Sequence, residues 1–341
     1  MHVGSTLTEH ADEAALEGLG WSAFFAAQVT AEDAGLVPMR IATVHRSRLT
    51  AIATAGPVRL VLQPHTNTGD FAVGDWILAD PHTHVPGRRL ARKSVLERHT
   101  AGSQMPQLAA ANIDTLFIVT SCNADFNAAR LERYLAMANQ AAITPVILLT
   151  KADTAADVRS YVDQAAALQR DLVVLTVNPR SPEAAAALAP WCGPGQTVAV
   201  VGSSGVGKST LVNTLAGPDQ EQAQLTGGIR EHDSKGRHTT TARSLHSIAG
   251  GGWVIDTPGM RTLHVGDSAE GIGTLFAEIT ELAHLCRFRD CTHLHEPGCA
   301  VQAAVASGTV DAERFARWQK LLEENSSNTP VRSGPRGGRK R

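Results

Sequence analysis

The 341-residue sequence predicts a multidomain α/β protein with a small all-β unit, a mainly parallel sheet flanked by helices, and a helical C-terminal module. Three observations predict it. From Met39 to about Asp80, short apolar runs (MRIATVHRSRLTAIATAGPVRLVLQP, then FAVGDWILAD) are punctuated by Gly, Pro and Asn, as in a small β barrel or sandwich. Between about 105 and 265 the strands TLFIVTS, TPVILLT, DLVVLTV and TVAVVG alternate with Ala- and Leu-rich helical stretches, which implies parallel strands joined by helices. After about Gly271 the chain reads as helix, passes a cluster of Cys and His, and resumes helix at DAERFARWQKLLEE. These shifts set expected limits: an acidic extension over 1–35, the β unit over 36–104, the α/β unit over 105–270, the helical module over 271–325 and a tail over 326–341.

A hydrophobic fraction of 43% is ordinary for a chain that buries a core, and the net charge of −2 says little about partners. Its distribution says more. From Ser326 the tail SSNTPVRSGPRGGRKR holds five cationic side chains and no acidic one, a basic arm expected to be disordered and suited to nucleic-acid phosphates. No apolar run approaches the roughly 18 residues of a membrane span. The opening MHVGSTLTEHADEAALEGLG is acidic and lacks the basic and apolar regions of a secretory signal. A cytoplasmic address and no membrane partner are expected, and the chain is expected to be a monomer.

Residues Gly202–Ser209, GSSGVGKS, fit G-x-x-x-x-G-K-[ST]; they follow the strand TVAVV and open the helix KSTLVNTLA. Glycines let the backbone curl with its N–H groups inward around phosphate oxygens, and the helix N-terminus adds a favourable dipole. Gly202, Ser203, Ser204, Gly205, Val206, Gly207, Lys208, Ser209 and Thr210 are therefore candidate nucleotide contacts. Lys208 would meet the β and γ phosphates, and the Ser209 hydroxyl would bind Mg²⁺. Downstream, GGWVIDTPGM ends a hydrophobic strand at Asp256; its carboxylate would hold Mg²⁺ through water and the Gly259 amide would sense the γ-phosphate. Between these lies KGRHTTTARSL, in which Thr239 or Thr240 would complete the Mg²⁺ shell.

Thr150-Lys151-Ala152-Asp153 follows the strand TPVILL and matches the [NT]-K-x-D element that reads guanine. A carboxylate there accepts from the guanine N1–H and exocyclic amino group; adenine offers no such donor pair, so Asp153 would select GTP over ATP. The Lys151 stem would cover the ring face, and LTVNP at 175–179 is a degenerate form of the loop that backs the base. The order of elements is guanine reader, phosphate loop, switch threonine, DTPG, the reverse of an ordinary GTPase. This is a circular permutation: the usual ends are joined through SPEAAAALAPWCGPG, and new ends open before TLFIVTS and after DTPG. The segment that answers to the γ-phosphate then runs directly into the C-terminal module.

With VGDW at 73–76, the reversed order, GRHTTT at 236–241, DTPG and the cysteine cluster, the chain resembles the circularly permuted RsgA (YjeQ) GTPases, which act in maturation of the bacterial small ribosomal subunit. The resemblance covers roughly 35–320. It implies an OB-fold for the β unit, a zinc-binding helical module at the C-terminus, and the small subunit and its rRNA as partners. Thr150 stands where the commoner motif has Asn.

In Cys286-RFRD-Cys291-T-His293-LHEPG-Cys299, three thiolates and an imidazole supply the ligand count of a closed tetrahedral Zn²⁺ site, with His284 and His295 as alternative fourth ligands. Cys-x-His spacing and the family resemblance favour His293. Such a zinc would be structural, with Arg287 and Arg289 beside it on a cationic face. Met260 occupies the place of the Gln that orients attacking water in Ras-like enzymes, so slow intrinsic hydrolysis is expected. His238, beside the threonines, is the internal candidate for that catalytic role.

Overall fold

The computed structural model describes residues 12–98, 107–217, 243–256 and 267–329. A single sheet organises most of them. Five parallel strands carry the α/β unit in the order β10 (Val173–Thr176), β9 (Thr144–Thr150), β8 (Thr115–Ser121), β11 (Thr197–Gly202) and β13 (Trp253–Asp256), with β12 (Ser244–Ser247) antiparallel at the edge. Every residue of β8 and β11 is buried, as expected of central strands covered by helices on both faces.

The β unit is built from β1 (Val37–His45), β2 (Arg48–Ala53), β3 (Gly56–Arg59), β4 (Trp76–Ala79) and β5 (Pro86–Arg89), wrapped around Met39, Ile41, Leu49, Ala51, Leu60, Ile77 and Ala79. Its β1 pairs with the edge strand β12 through Thr43 and Ser244, so the two units share one eleven-stranded sheet. The ribbon of β6 (Val95–Arg98) and β7 (Gln107–Ala111) straddles the limit expected at 104.

The family motif VGDW lies in this joint. Gly74 adopts φ +90, and a Cβ there would stand 2.2 Å from the Ala111 carbonyl, a place only glycine fills. The fully buried Asp75 accepts from both Arg92 Nε at 2.7 Å and Arg92 Nη2 at 2.8 Å. Beside it the buried Arg40 donates to the Leu19 carbonyl at 2.6 Å and the Thr197 hydroxyl at 2.7 Å; burial pushes its pKa down to about 10.

Residues 12–35 of the acidic extension have a definite place. Residues 12–18 are helical (α1), and Ala23–Ala26 form α2. Leu19 and Phe25 pack with Trp76, Leu78 and Leu90 of the barrel, while Trp253 of β13 donates from its indole to the Gly18 carbonyl at 2.8 Å. The segment thus straps the barrel to the α/β sheet.

Helices α3 (Ala128–Gln140), α4 (Val158–Ala166), α5 (Glu183–Leu188) and α6 (Lys208–Ala216) flank the sheet. The C-terminal module contains α7 (Ala269–Leu275), α8 (Ala277–Ala283), α9 (Ala300–Ala306) and α10 (Ala312–Asn328). Helix α10 corrects the expected start of the disordered tail: it continues past Ser326. Its end is pinned by the Asn325 side chain, which accepts from Ser268 N at 2.8 Å, and by Thr329 Oγ1, which accepts from Asp267 N at 2.8 Å. Tertiary docking overrides the weak helix propensity of Ser and Asn there. Among the described residues no helix is long and apolar enough to cross a membrane.

Candidate functional site

The parallel strands β8, β9, β11 and β13 end at the same edge of the sheet, the edge at which open α/β sheets bind ligands. Gly202 ends β11, Thr150 ends β9 opposite Ser121 of β8, and Asp256 ends β13 opposite Val200. The sequence-predicted base reader, phosphate loop and strand-end carboxylate therefore meet at one edge although up to 106 positions separate them.

The phosphate loop turns tightly out of its strand. Gly202 has φ +140, and a Cβ would stand 2.1 Å from the Val119 carbonyl on the neighbouring strand, so the first glycine is fixed by strand contact. Gly205 and Gly207 adopt φ +76 and +102, and Gly207 forms the N-cap of α6. Lys208 folds back to donate to the Ser203 carbonyl across the loop mouth. Ser209 and Ser204 are exposed, while Val206 is buried and anchors the loop.

One hydrogen bond joins the base reader to this loop. The buried Thr150 side chain places its hydroxyl 2.8 Å from the Val206 carbonyl and 3.1 Å from the Thr120 carbonyl. The segment LTVNP, expected behind the base, also packs on the loop: a Cβ on Gly207 would stand 3.0 Å from the Pro179 ring, and Thr214 of α6 donates to the Pro179 carbonyl at 2.6 Å. Lys151 takes the left-handed conformation at φ 55 and caps a 3₁₀ turn, Ala152–Thr154, which leaves Asp153 exposed.

Burial raises the pKa of the Asp256 carboxyl, while the charges of His246 and Lys208 pull it back. A half-buried acid beside the loop lysine is a natural donor for a divalent cation, which would supply the compensating charge. His238, Thr239, Thr240 and Gly259 lie outside the described residues.

The second cluster is the cysteine motif. Single ligand atoms of Cys286, Cys291, His293 and Cys299 all lie within 4.8 Å of one another, and neither His284 nor His295 belongs to the group. The Cys286 sulfur is 3.5 Å from His293 Nδ1 and 3.8 Å from the Cys299 sulfur, with 3.4 Å between His293 Nδ1 and the Cys299 sulfur. Bonds of about 2.3 Å to sulfur and 2.0–2.1 Å to nitrogen give tetrahedral edges of about 3.6–3.8 Å, close to the spacings among Cys286, His293 and Cys299; with Cys291 within 4.8 Å of each, the four donors are compatible with zinc. Around it, Glu296 accepts from the backbone of Thr292 at 2.9 Å and from those of Leu294 and His295 at 3.2 Å. Gln302 holds the His293 carbonyl, and His293 packs on Trp318 of α10 with ring centres 5.5 Å apart.

Two features of the site carry no signal in the sequence. Arg130, in the first turn of α3, donates to the Ser203 hydroxyl of the phosphate loop; no motif marks it. Nor does the TKAD motif state that its first side chain faces Val206.

Comparison with known proteins points to one family. The family model described as RsgA GTPase matches residues 89–266. A Mesorhizobium japonicum protein named small ribosomal subunit biogenesis GTPase RsgA is 69% identical over 329 residues, covering 96% of this chain and 95% of its own. A Vibrio vulnificus protein named small ribosomal subunit biogenesis GTPase RsgA 2 is 50% identical over 315 residues, covering 92% of this chain and 88% of its own. The crystal structure of YjeQ from Thermotoga maritima superimposes with a TM-score of 0.60 at 22% identity, over 85% of this chain and 98% of that one. YloQ, described as a circularly permuted GTPase, gives 0.59 at 23% identity, over 89% and 99%. At that identity the two structures speak for the fold alone.

Proposed function

This chain belongs to the RsgA GTPase family, and on that footing we propose that it binds the small ribosomal subunit late in maturation and couples GTP hydrolysis to its own release. The observation that carries the nucleotide part is the contact of Thr150 with Val206, which makes the base reader and the phosphate loop one rigid receptor. In that receptor Asp153 pairs with the guanine edge, Lys151 covers the ring, and Lys208 with the amides of residues 202–210 holds the phosphates. Ser209 and Asp256 would hold Mg²⁺, which would supply positive charge to the phosphates. Thr239 or Thr240 and Gly259 respond to the γ-phosphate, and His238 positions water in the absence of a glutamine at Met260.

The limits at 36–104, 105–270 and 271–325 divide the work into an OB-fold barrel, the permuted GTPase and a zinc module. Zinc held by Cys286, Cys291, His293 and Cys299 staples the last, and the basic tail adds phosphate contacts on rRNA. The protein acts in the cytoplasm as a monomer. Co-sedimentation with isolated subunits tests the partner: retention by small subunits with a non-hydrolysable GTP analogue, and release with GDP, supports the reading. Equal retention by both subunits, or by neither, contradicts it.

A further inference from the structure

Helix α3 touches the phosphate loop at one end and the C-terminal helices along its flank. At the loop end, Asn127 caps the helix by accepting from Arg130 N at 2.9 Å, and the Arg130 guanidinium donates to the Ser203 hydroxyl. One turn on, burial raises the pKa of the Tyr134 phenol, and the charge of Arg130 with a hydrogen bond from the Gly202 backbone pulls it back. Both residues therefore stand on the loop itself.

On the flank, Glu132 is 2% exposed and receives Arg317 Nε at 2.9 and 3.0 Å on its two oxygens, with Arg314 at 3.4 Å. Arg314 reaches on to Glu278 of α8 and to the Leu275 carbonyl of α7 at 3.0 Å. Arg133 clamps Glu324 near the end of α10 at 2.6 Å. Packing is as tight as the charge network: a Cβ on Gly271 of α7 would stand 2.1 Å from the Ala136 carbonyl of α3. A displacement of α3 therefore displaces α7 and α10 or breaks these bonds.

We propose that Arg130 is a positioning residue of the phosphate loop whose bond to Ser203 depends on the occupant of the loop, and that α3 transmits this dependence to the C-terminal helices. It rests on the assignment of Gly202–Ser209 as the nucleotide site. The guanidinium is always charged, and in the described structure its partner in the loop is a neutral hydroxyl. A phosphate is an ionised acceptor and forms charge-assisted hydrogen bonds roughly twice as strong as neutral ones, so a triphosphate in the loop competes for Arg130 where a hydroxyl had sufficed. The first turn of α3 then has two arrangements, one on Ser203 and one drawn toward phosphate. By linkage, anything that grips α10 changes nucleotide affinity by the same factor that nucleotide changes the grip. This route is separate from the segment after Asp256, which enters the same module along the chain.

The test is hydrogen exchange of the full-length protein bound to GDP and to a non-hydrolysable GTP analogue, in wild type, Arg130→Ala and Arg130→Lys, with fluorescent-GDP affinity measured in parallel. The wild type is expected to differ between the two nucleotides in protection of residues 312–328. In Arg130→Ala that difference should fall at least threefold while GDP still binds, and Arg130→Lys should restore part of it. A merely structural residue would lower protection equally in both states. Should Arg130→Ala fail to fold, Arg317→Lys is expected to shrink the difference without changing GDP affinity. An unchanged difference in Arg130→Ala, or in its stand-in Arg317→Lys, overturns the proposal, as does a wild type whose α10 does not distinguish the nucleotides. A wild type that binds no guanine nucleotide overturns the site assignment and this inference with it.

Discussion

The Thr150 hydroxyl lies 2.8 Å from the Val206 carbonyl, joining base reader and phosphate loop across 56 positions of sequence. Thr150→Val keeps the shape and removes the bond, leaving a buried carbonyl short of a partner, which costs about 1 kcal/mol or roughly a fivefold loss of affinity. Titration of fluorescent GDP checks this; Thr150→Asn, which restores a donor, is expected to bind nearly as wild type. Undiminished affinity in Thr150→Val would detach the two loops from each other functionally.

The exposed turn that carries Asp153 makes a base-swap experiment clean, because no described hydrogen bond is lost with the carboxylate. Asp153→Asn presents a donor and an acceptor in place of two acceptors, a pattern that matches xanthine rather than guanine. Competition binding should show guanine nucleotides weakened at least tenfold and xanthosine diphosphate strengthened. Equal losses for both bases would assign Asp153 a structural role only.

Zinc is expected at one atom per chain by elemental analysis, released by a strong chelator. Cys299→Ser removes a buried ligand at the N-cap of α9, so its zinc content should fall below about a tenth of wild type and the melting transition of the C-terminal module should drop or vanish. A wild-type protein free of zinc and equally stable in chelator would leave three reduced thiols around a histidine.

Acid stability probes the N-terminal strap. Hydrogen bonds from Arg88, and then from the Thr30 backbone, hold the Asp33 carboxyl at about 2 instead of an ordinary 3.8. A depressed acid stabilises the fold above its unfolded pKa, and that contribution disappears as pH falls through the folded one. Asp33→Asn should therefore melt below wild type at neutral pH, with the gap closing between pH 3.8 and about 2. A gap independent of pH would mean that the strap is held by packing of Phe25 and Leu19 alone.

Much of the fold was legible because its signals are local. TLFIVTS, TPVILLT and TVAVVG coincide with β8, β9 and β11, and KSTLVNTLA with α6, since buried parallel strands and the loop-to-helix turn each carry their own pattern. The cysteine cluster was equally legible from spacing, and His293 rather than His284 or His295 joins it. What escaped the sequence is long-range. Nothing near Thr43 announces that it pairs with Ser244, and the acidic opening gives no sign that Leu19 and Phe25 complete a core under Trp76. Arg130 and Glu132 read as an ordinary helix face; their meaning lies in Ser203 and Arg317, which are 73 and 185 positions away.

Steady-state GTP hydrolysis, measured for the protein alone and with isolated small or large ribosomal subunits, with ATP as control, decides whether this is a GTPase that the small subunit activates. Slow turnover of GTP by the protein alone, an increase of at least tenfold with small subunits only, and no turnover of ATP are expected. Hydrolysis that neither subunit stimulates, or that ATP supports equally, would contradict that expectation.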